Sequence, residues 1–205
     1  MKDTAERLTL TKKLALTGAF SALIIVLGIT KIGFISIGAA SITILHIPVI
    51  LTVLLAGLPE GIFAGAVFGI LSLIMAAMTP SGILDPMFVN PLCSVLPRIL
   101  FAAAAWGLWK LLNLIPKMPK ILSAGISSFL ATVIHTLLVL GSLYIFKGED
   151  VRAALGGIGY LALVGACGLN AILESASSTV ICIAVFTGLF ISANSKSKLS
   201  KEIEN

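Results

Sequence analysis

Charge is missing from this chain over long distances. Seventeen uncharged residues separate Lys13 from Lys31, twenty-eight separate Lys31 from Glu60, and twenty-six separate Lys120 from Lys147. A helix of about 20 apolar residues crosses a bilayer, so each run is near or above the length of a span, and several spans are required. The alternative is a large soluble core, and composition excludes it. Of 205 residues, 58% are hydrophobic and only 11% charged, and the mean hydropathy is +1.11, too high for a soluble domain.

Apolar runs, charges and Gly/Pro punctuation together predict an all-α, polytopic membrane protein with one domain over residues 1–205. Its six transmembrane helices are expected near 13–30, 41–57, 61–78, 93–114, 121–146 and 161–192, with tails at 1–12 and 193–205. An even number of crossings puts both termini on one side, and the cations say which. Lys2, Arg7, Lys12, Lys13, Lys110, Lys117, Lys120, Lys196, Lys198 and Lys201 fall on the side of the termini, against Lys31, Lys147 and Arg152 on the other. The excess predicts cytoplasmic termini. Residues 31–40, 79–92 and 147–160 then face outward. Gly61, Gly65 and Gly69 recur at every fourth position of the third helix, a spacing that lets helix backbones approach closely.

The net charge of +5 would suit a nucleic acid, but the cations gather at the ends of spans, with no aromatic-interleaved basic patch. Nucleic acid is not an expected partner. Cys93, Cys167 and Cys182 are odd in number and form no CxxC, so neither a disulfide framework nor a zinc site is expected. The charged start MKDTAERLTLTKK precedes an apolar run too long for a cleaved signal, which reads as a retained first helix. Enzyme motifs fail. TPSG at 79–82 lacks the companions of a membrane phosphatase, GISS at 125–128 is not GxSG, and neither HExxH nor GxxxxGK[ST] occurs. Uphill movement of a solute by ATP would need a partner to hydrolyse it.

Ionisable side chains in hydrocarbon cost about 2.5 to 3.5 kcal/mol at the bilayer centre on insertion scales, so His46, Arg98, His135 and Glu174 each need a reason. Counted along the proposed helices, Arg98 lies about 18 Å, His135 about 21 Å and Glu174 about 27 Å from the inner face, and His46 comes early in the second helix. All four converge on the outer leaflet. Asn170 shares a helix face with Glu174, four residues away. Asp85 and Asn90 lie above this layer in DPMFVNPLCSVLPR, an outer stretch that its prolines keep from continuing as helix. The expectation is a substrate pocket open to the outside and built from Asp85, Asn90, Arg98, His46, His135, Asn170 and Glu174. The plainer readings are snorkelling or a structural Arg98 to Glu174 pair, and packing hydrogen bonds for the histidines.

The run ITILHIPVILTVLLAGLPEGIFAGAVFGILSLIMA, followed by FVNPLCSVLPR and a last helix with N-x-x-x-E, resembles the substrate-binding S component of energy-coupling factor (ECF) vitamin transporters over essentially the whole chain. The resemblance implies a non-enzymatic subunit of the cell membrane. Its partners would be the vitamin, a transmembrane coupling subunit driven by two ATPases, and the lipid. It also implies that an Ala-xxx-Ala face on the first helix, here Ala15 and Ala19 extended by Gly18 and Ala22, meets the coupling subunit. Ordinary packing within the chain is the other reading of that face. The segments look most like the pantothenate-type and riboflavin-type branches. A buried arginine with two histidines favours an anion, because a carboxylate accepts the planar guanidinium fork, and this points to pantothenate before riboflavin. No cofactor or metal is expected. A self-sufficient proton-coupled transporter using Glu174 and the histidines is the alternative of another class.

Overall fold

The computed structural model describes residues 8–37, 40–80 and 82–203, with side chains at 8–33, 43–80, 82–189 and 191. The expected cations Lys2 and Arg7 lie outside the described residues, and the side chains of Lys196, Lys198 and Lys201 lie outside the described side chains. The elements are α1 (Leu10–Ile29), a hairpin of β1 (Phe34–Ile37) and β2 (Ala40–Thr43), α2 (His46–Ala56), α3 (Leu58–Met78), a 3-10 turn (Asp85–Val89), α4 (Pro91–Asn113), α5 (Lys120–Ala154), α6 (Tyr160–Ala166) and α7 (Gly168–Ile203).

Contacts at its two ends fix the direction of α1. Lys13 near its start lies 4.0 Å from Glu60 at the start of α3, and Lys31 just past its end reaches the Thr79 carbonyl just past the end of α3, at 3.4 Å. The two helices are therefore parallel, and residues 30–57 must return the full distance between them. They do so in two pieces. The antiparallel hairpin pairs Phe34 with Thr43 and Ile37 with Ala40, and the 11-residue α2 follows, about 16 Å long. Among the described residues, five helices are long and apolar enough to cross a membrane, and α2 is shorter. Of the six expected helices, the one near 41–57 is found shortened to α2, its first residues belonging to β2, because FISI and ASIT carry the isoleucines and threonine that fit a pleated ribbon. Every residue of α2 is buried, and it packs on α1, α3, α4, α5 and α7.

A tight reversal separates α2 from α3. Gly57 has φ 119°, a backbone conformation that favours glycine, and its N–H turns back to the Val53 carbonyl at 3.1 Å. Other expected boundaries shift too. The fifth helix continues past 146 to Ala154 across a break at Lys147, where φ is −136°. The last helix, expected as one piece over 161–192, is two, divided at Cys167.

The glycine stripe of α3 serves two neighbours. An added Cβ at Gly61 would collide with Val53 of α2, whereas at Gly65 it would lie 2.6 Å from the Arg98 carbonyl, and at Gly69 2.6 Å from the Val95 Cα. These α4 contacts run in opposite senses along the two helices, so α3 and α4 are antiparallel. The Ser128 to Ser178 hydroxyl contact and the approach of Gly125 to Ile183 make α5 and α7 antiparallel as well. Alternation through α3, α4, α5 and α7 brings the end of α7 to the end of the bundle where α1 begins. Gly65→Ala is expected to destabilise the protein by about 1–3 kcal/mol, because the obstructing atoms are backbone and cannot swing aside. Gly107→Ala, with nothing within 4 Å of the added carbon, should hold or raise the thermal midpoint in detergent, since alanine suits a helix interior better than glycine. Equal midpoints for the two variants would refute the close approach.

Candidate functional site

Two apolar clusters occupy the interior. One centres on α2 with Phe68, Phe101 and Trp109. The other holds Leu84, Met87, Val139, Leu143 and Leu163. Between them lie four buried ionisable side chains: His46 (0% exposed), His135 (3%), Arg98 (5%) and Glu174 (6%). They come from α2, α5, α4 and α7, so four separate elements meet at one level.

A cavity opens beside them, lined by Arg98, His135, Glu174, Asn170 and Asp85 among others, and it extends to exposed Lys31 and Thr79. Its mouth therefore lies at the end of the bundle opposite the start of α1. Met75, Leu84, Val139, Leu140 and Leu143 supply an apolar wall.

Arg98 is held from several directions. Its Nη1 donates to the Cys93 carbonyl at 2.8 Å, and its Cζ lies 5.4 Å from the Phe68 ring centroid and 5.0 Å from that of Phe88, distances at which an aromatic face attracts a cation. Its Nε is buried and has no partner among the described residues. Glu174 is engaged elsewhere, Oε1 accepting from the Thr43 N–H at 2.6 Å, which ties β2 to α7. Asp85 Oδ2 accepts from the Gly82 N–H at 2.7 Å. Each acid thus accepts from a backbone donor, while the Arg98 Nε–H at the cavity has no hydrogen-bond partner among the described residues.

The histidines stack on each other, ring centroids 5.6 Å apart and planes 17° from parallel, with Phe101 4.8 Å from His135. None of their four ring nitrogens has a partner among the described residues. His135 reaches the cavity wall, whereas His46 does not line it and is buried against His135. Asn90 is not brought to the site. Its side chain accepts from the Leu92 N–H at 2.9 Å and caps α4, the usual use of Asn at such a position.

His46, His135 and Glu174 offer donor atoms within 4.8 Å of one another, the arrangement any divalent ion would use here. Zinc bonds of about 2.0–2.2 Å would require the donors to draw in, and Arg98, which shares the Phe68 ring with His135, opposes a second cation.

Several lining residues were missed from sequence. Lys31 enters the sequence reading only for orientation, and Phe88, Ser72, Thr43 and Thr136 are not among its site residues. Ser72 follows the Gly61, Gly65, Gly69 stripe by one further helical step, and Thr136 adjoins His135, so both carried a positional signal.

Comparison with known proteins bears on what such a cavity serves. Residues 12–191 match the family described as ECF transporter, substrate-specific component. The chain belongs to this family. Among its relatives is the "Pantothenic acid transporter PanT" of Lactococcus lactis subsp. cremoris (strain MG1363), 30% identical over 156 residues, covering 70% of this chain and 71% of the relative. The "Pantothenate transporter PanT" of Leuconostoc mesenteroides subsp. mesenteroides is 36% identical over 96 residues, covering 44% and 47%. As a substrate-specific component, the protein is a transport subunit in the cell membrane that crosses the bilayer several times. The buried layer thus sits in the subunit of the transporter that selects the substrate.

Proposed function

We propose that this substrate-specific component binds pantothenate from the outer side of the cell membrane and delivers it with the help of partner subunits. The observation that carries the reading is the cavity-lining guanidinium of Arg98, whose Nε–H is buried without a partner. A buried unsatisfied donor on a cation is costly, and a planar carboxylate satisfies it with a charge-assisted hydrogen bond. The apolar wall suits the dimethyl-bearing part of pantothenate, and Asn170, Thr136 and His135 offer polar partners for its amide and hydroxyls. The names of both relatives point the same way. Riboflavin would call for ring stacking at the cavity, and among the described residues only Phe88 and His135 bring aromatic side chains to it.

Orientation follows from the cations, ten on the side of the termini against three opposite, which supports cytoplasmic termini and an outward mouth. Energy would come from a transmembrane coupling subunit and two ATPases, because the chain carries no nucleotide-hydrolysing motif of its own. The surface offered to the coupling subunit is Ala15, Gly18, Ala19 and Ala22, all exposed on α1, while Thr17, Ser21, Ile24 and Gly28 form its buried face. An alanine methyl at position 18 would meet nothing within 4 Å, so none of the described residues packs on that part of the helix.

Isothermal titration of the purified protein, without ATP, against pantothenate, riboflavin, thiamine and biotin tests the reading. Saturable heat with pantothenate and none with the other three is expected. Saturation by another vitamin, or by none in several detergents, would overturn it.

A further inference from the structure

The residue that precedes Arg98 explains where its guanidinium points. Pro97 is buried in the interior of α4, and proline has no N–H. In a regular helix the N–H of residue 97 would donate to the carbonyl of residue 93. That bond is missing here, and the Cys93 carbonyl accepts instead from Nη1 of Arg98 at 2.8 Å. The side chain thus folds back along its own helix, the direction in which helical side chains lean, and one of its terminal nitrogens is consumed by a fixed backbone acceptor. Nε remains without a partner, on a side chain that lines the cavity.

We infer that Pro97 is a positioning residue for ligand recognition: by leaving the Cys93 carbonyl without a helical donor, it supplies the acceptor that holds Nη1 and presets the rest of the guanidinium for an incoming carboxylate. The inference rests on the pantothenate reading above. Arginine is rich in rotamers, and freezing such a side chain at the moment of binding weakens association, whereas one already held binds without that loss. The proline therefore serves the ligand although it removes a helix hydrogen bond. A proline kept only to bend α4 for packing would have no such dependence on Arg98.

The test is a double-mutant cycle on the full-length protein in detergent, with pantothenate as the probe. Pro97→Ala restores an N–H that competes for the Cys93 carbonyl. Affinity is expected to fall roughly two- to tenfold, while the thermal midpoint holds or rises, because a helix interior regains a hydrogen bond. In the Arg98→Lys background, measured at pantothenate concentrations high enough for the weaker binding, Pro97→Ala should change affinity no further. A folded Pro97→Ala protein that binds as wild type does would overturn the inference. So would an equal loss in both backgrounds, the mark of a general packing effect. If Pro97→Ala does not assemble, Pro97→Val restores the same N–H with more volume and takes its place; failure of both would make Pro97 a folding residue and dispose of the idea. Wild-type protein that binds no pantothenate would count against the proposed substrate instead, a different result from any of these.

Discussion

Arg98→Met is expected to weaken binding of pantothenate by at least roughly tenfold while the helices remain assembled. A hydrogen bond to a charged group contributes about 1.5 to 3 kcal/mol, which converts to a loss of roughly tenfold to over a hundredfold. The Met side chain also leaves the cavity without its guanidinium. Stability should change little, because two effects oppose each other. The Cys93 carbonyl loses its partner, yet a buried cation is replaced by an apolar chain, a change that is often neutral or favourable. Arg98→Lys keeps the charge without the planar fork, so it should bind clearly more weakly than wild type and better than Arg98→Met. Pantothenate compared with its alcohol analogue isolates the carboxylate. Equal affinity of the wild-type protein for the two, or normal binding by folded Arg98→Met, would mean that Arg98 serves the structure and that the acidic substrate is wrong.

Ala15→Trp and Ala19→Trp are expected to abolish uptake of labelled pantothenate by cells without altering its binding to the purified protein. Both positions are exposed on α1, with Ala19 about 18 Å along the helix from Lys31, the cavity-lining residue just past its other end, and a bulky indole there keeps a partner helix from close approach. Uptake and equilibrium binding should therefore separate. Were binding and uptake to fall together, the small-residue face would be a folding feature; were uptake to persist, the coupling subunit would dock elsewhere.

The bundle was legible wherever a run was both apolar and long enough to span. Charge spacing located α1, α3 and α4 to within a few residues. The hairpin was not legible, because Ile42 and Thr43 continue the same uncharged run as His46 to Ala56, and hydropathy does not distinguish a ribbon from a helix. For the same reason the last segment read as one helix, although the chain is divided at Cys167 with no proline or charge to mark it. At the site, the cost of charge in hydrocarbon singled out Arg98, His46, His135 and Glu174, which the fold brings to one level. It could not show that Asn90 looks along the backbone and not into the cavity, since helix capping depends on where α4 starts. Nor did it pick out Phe88, whose value lies in a ring near a cation 10 positions on, a contact set by how the outer turn folds back.

The hydrogen bond from the Thr43 N–H to Glu174 joins residues 131 positions apart, and it sets a delay during synthesis. At about 5–20 residues per second, roughly 7 to 26 s pass between the ribosome adding the one and adding the other. The hairpin is already made when that interval begins, and His46, Arg98 and His135 are added in turn during it, before the helix that completes their cavity. From the addition of Arg98 to that of Glu174, 76 residues later and so about 4 to 15 s, the growing chain must shelter a cation in or beside the bilayer with its own carbonyl at Cys93 and nearby rings for company. The binding site is consequently completed only as the last helix is made, and a chain that stops before residue 170 carries Arg98 yet lacks the Asn170 and Glu174 side of its cavity.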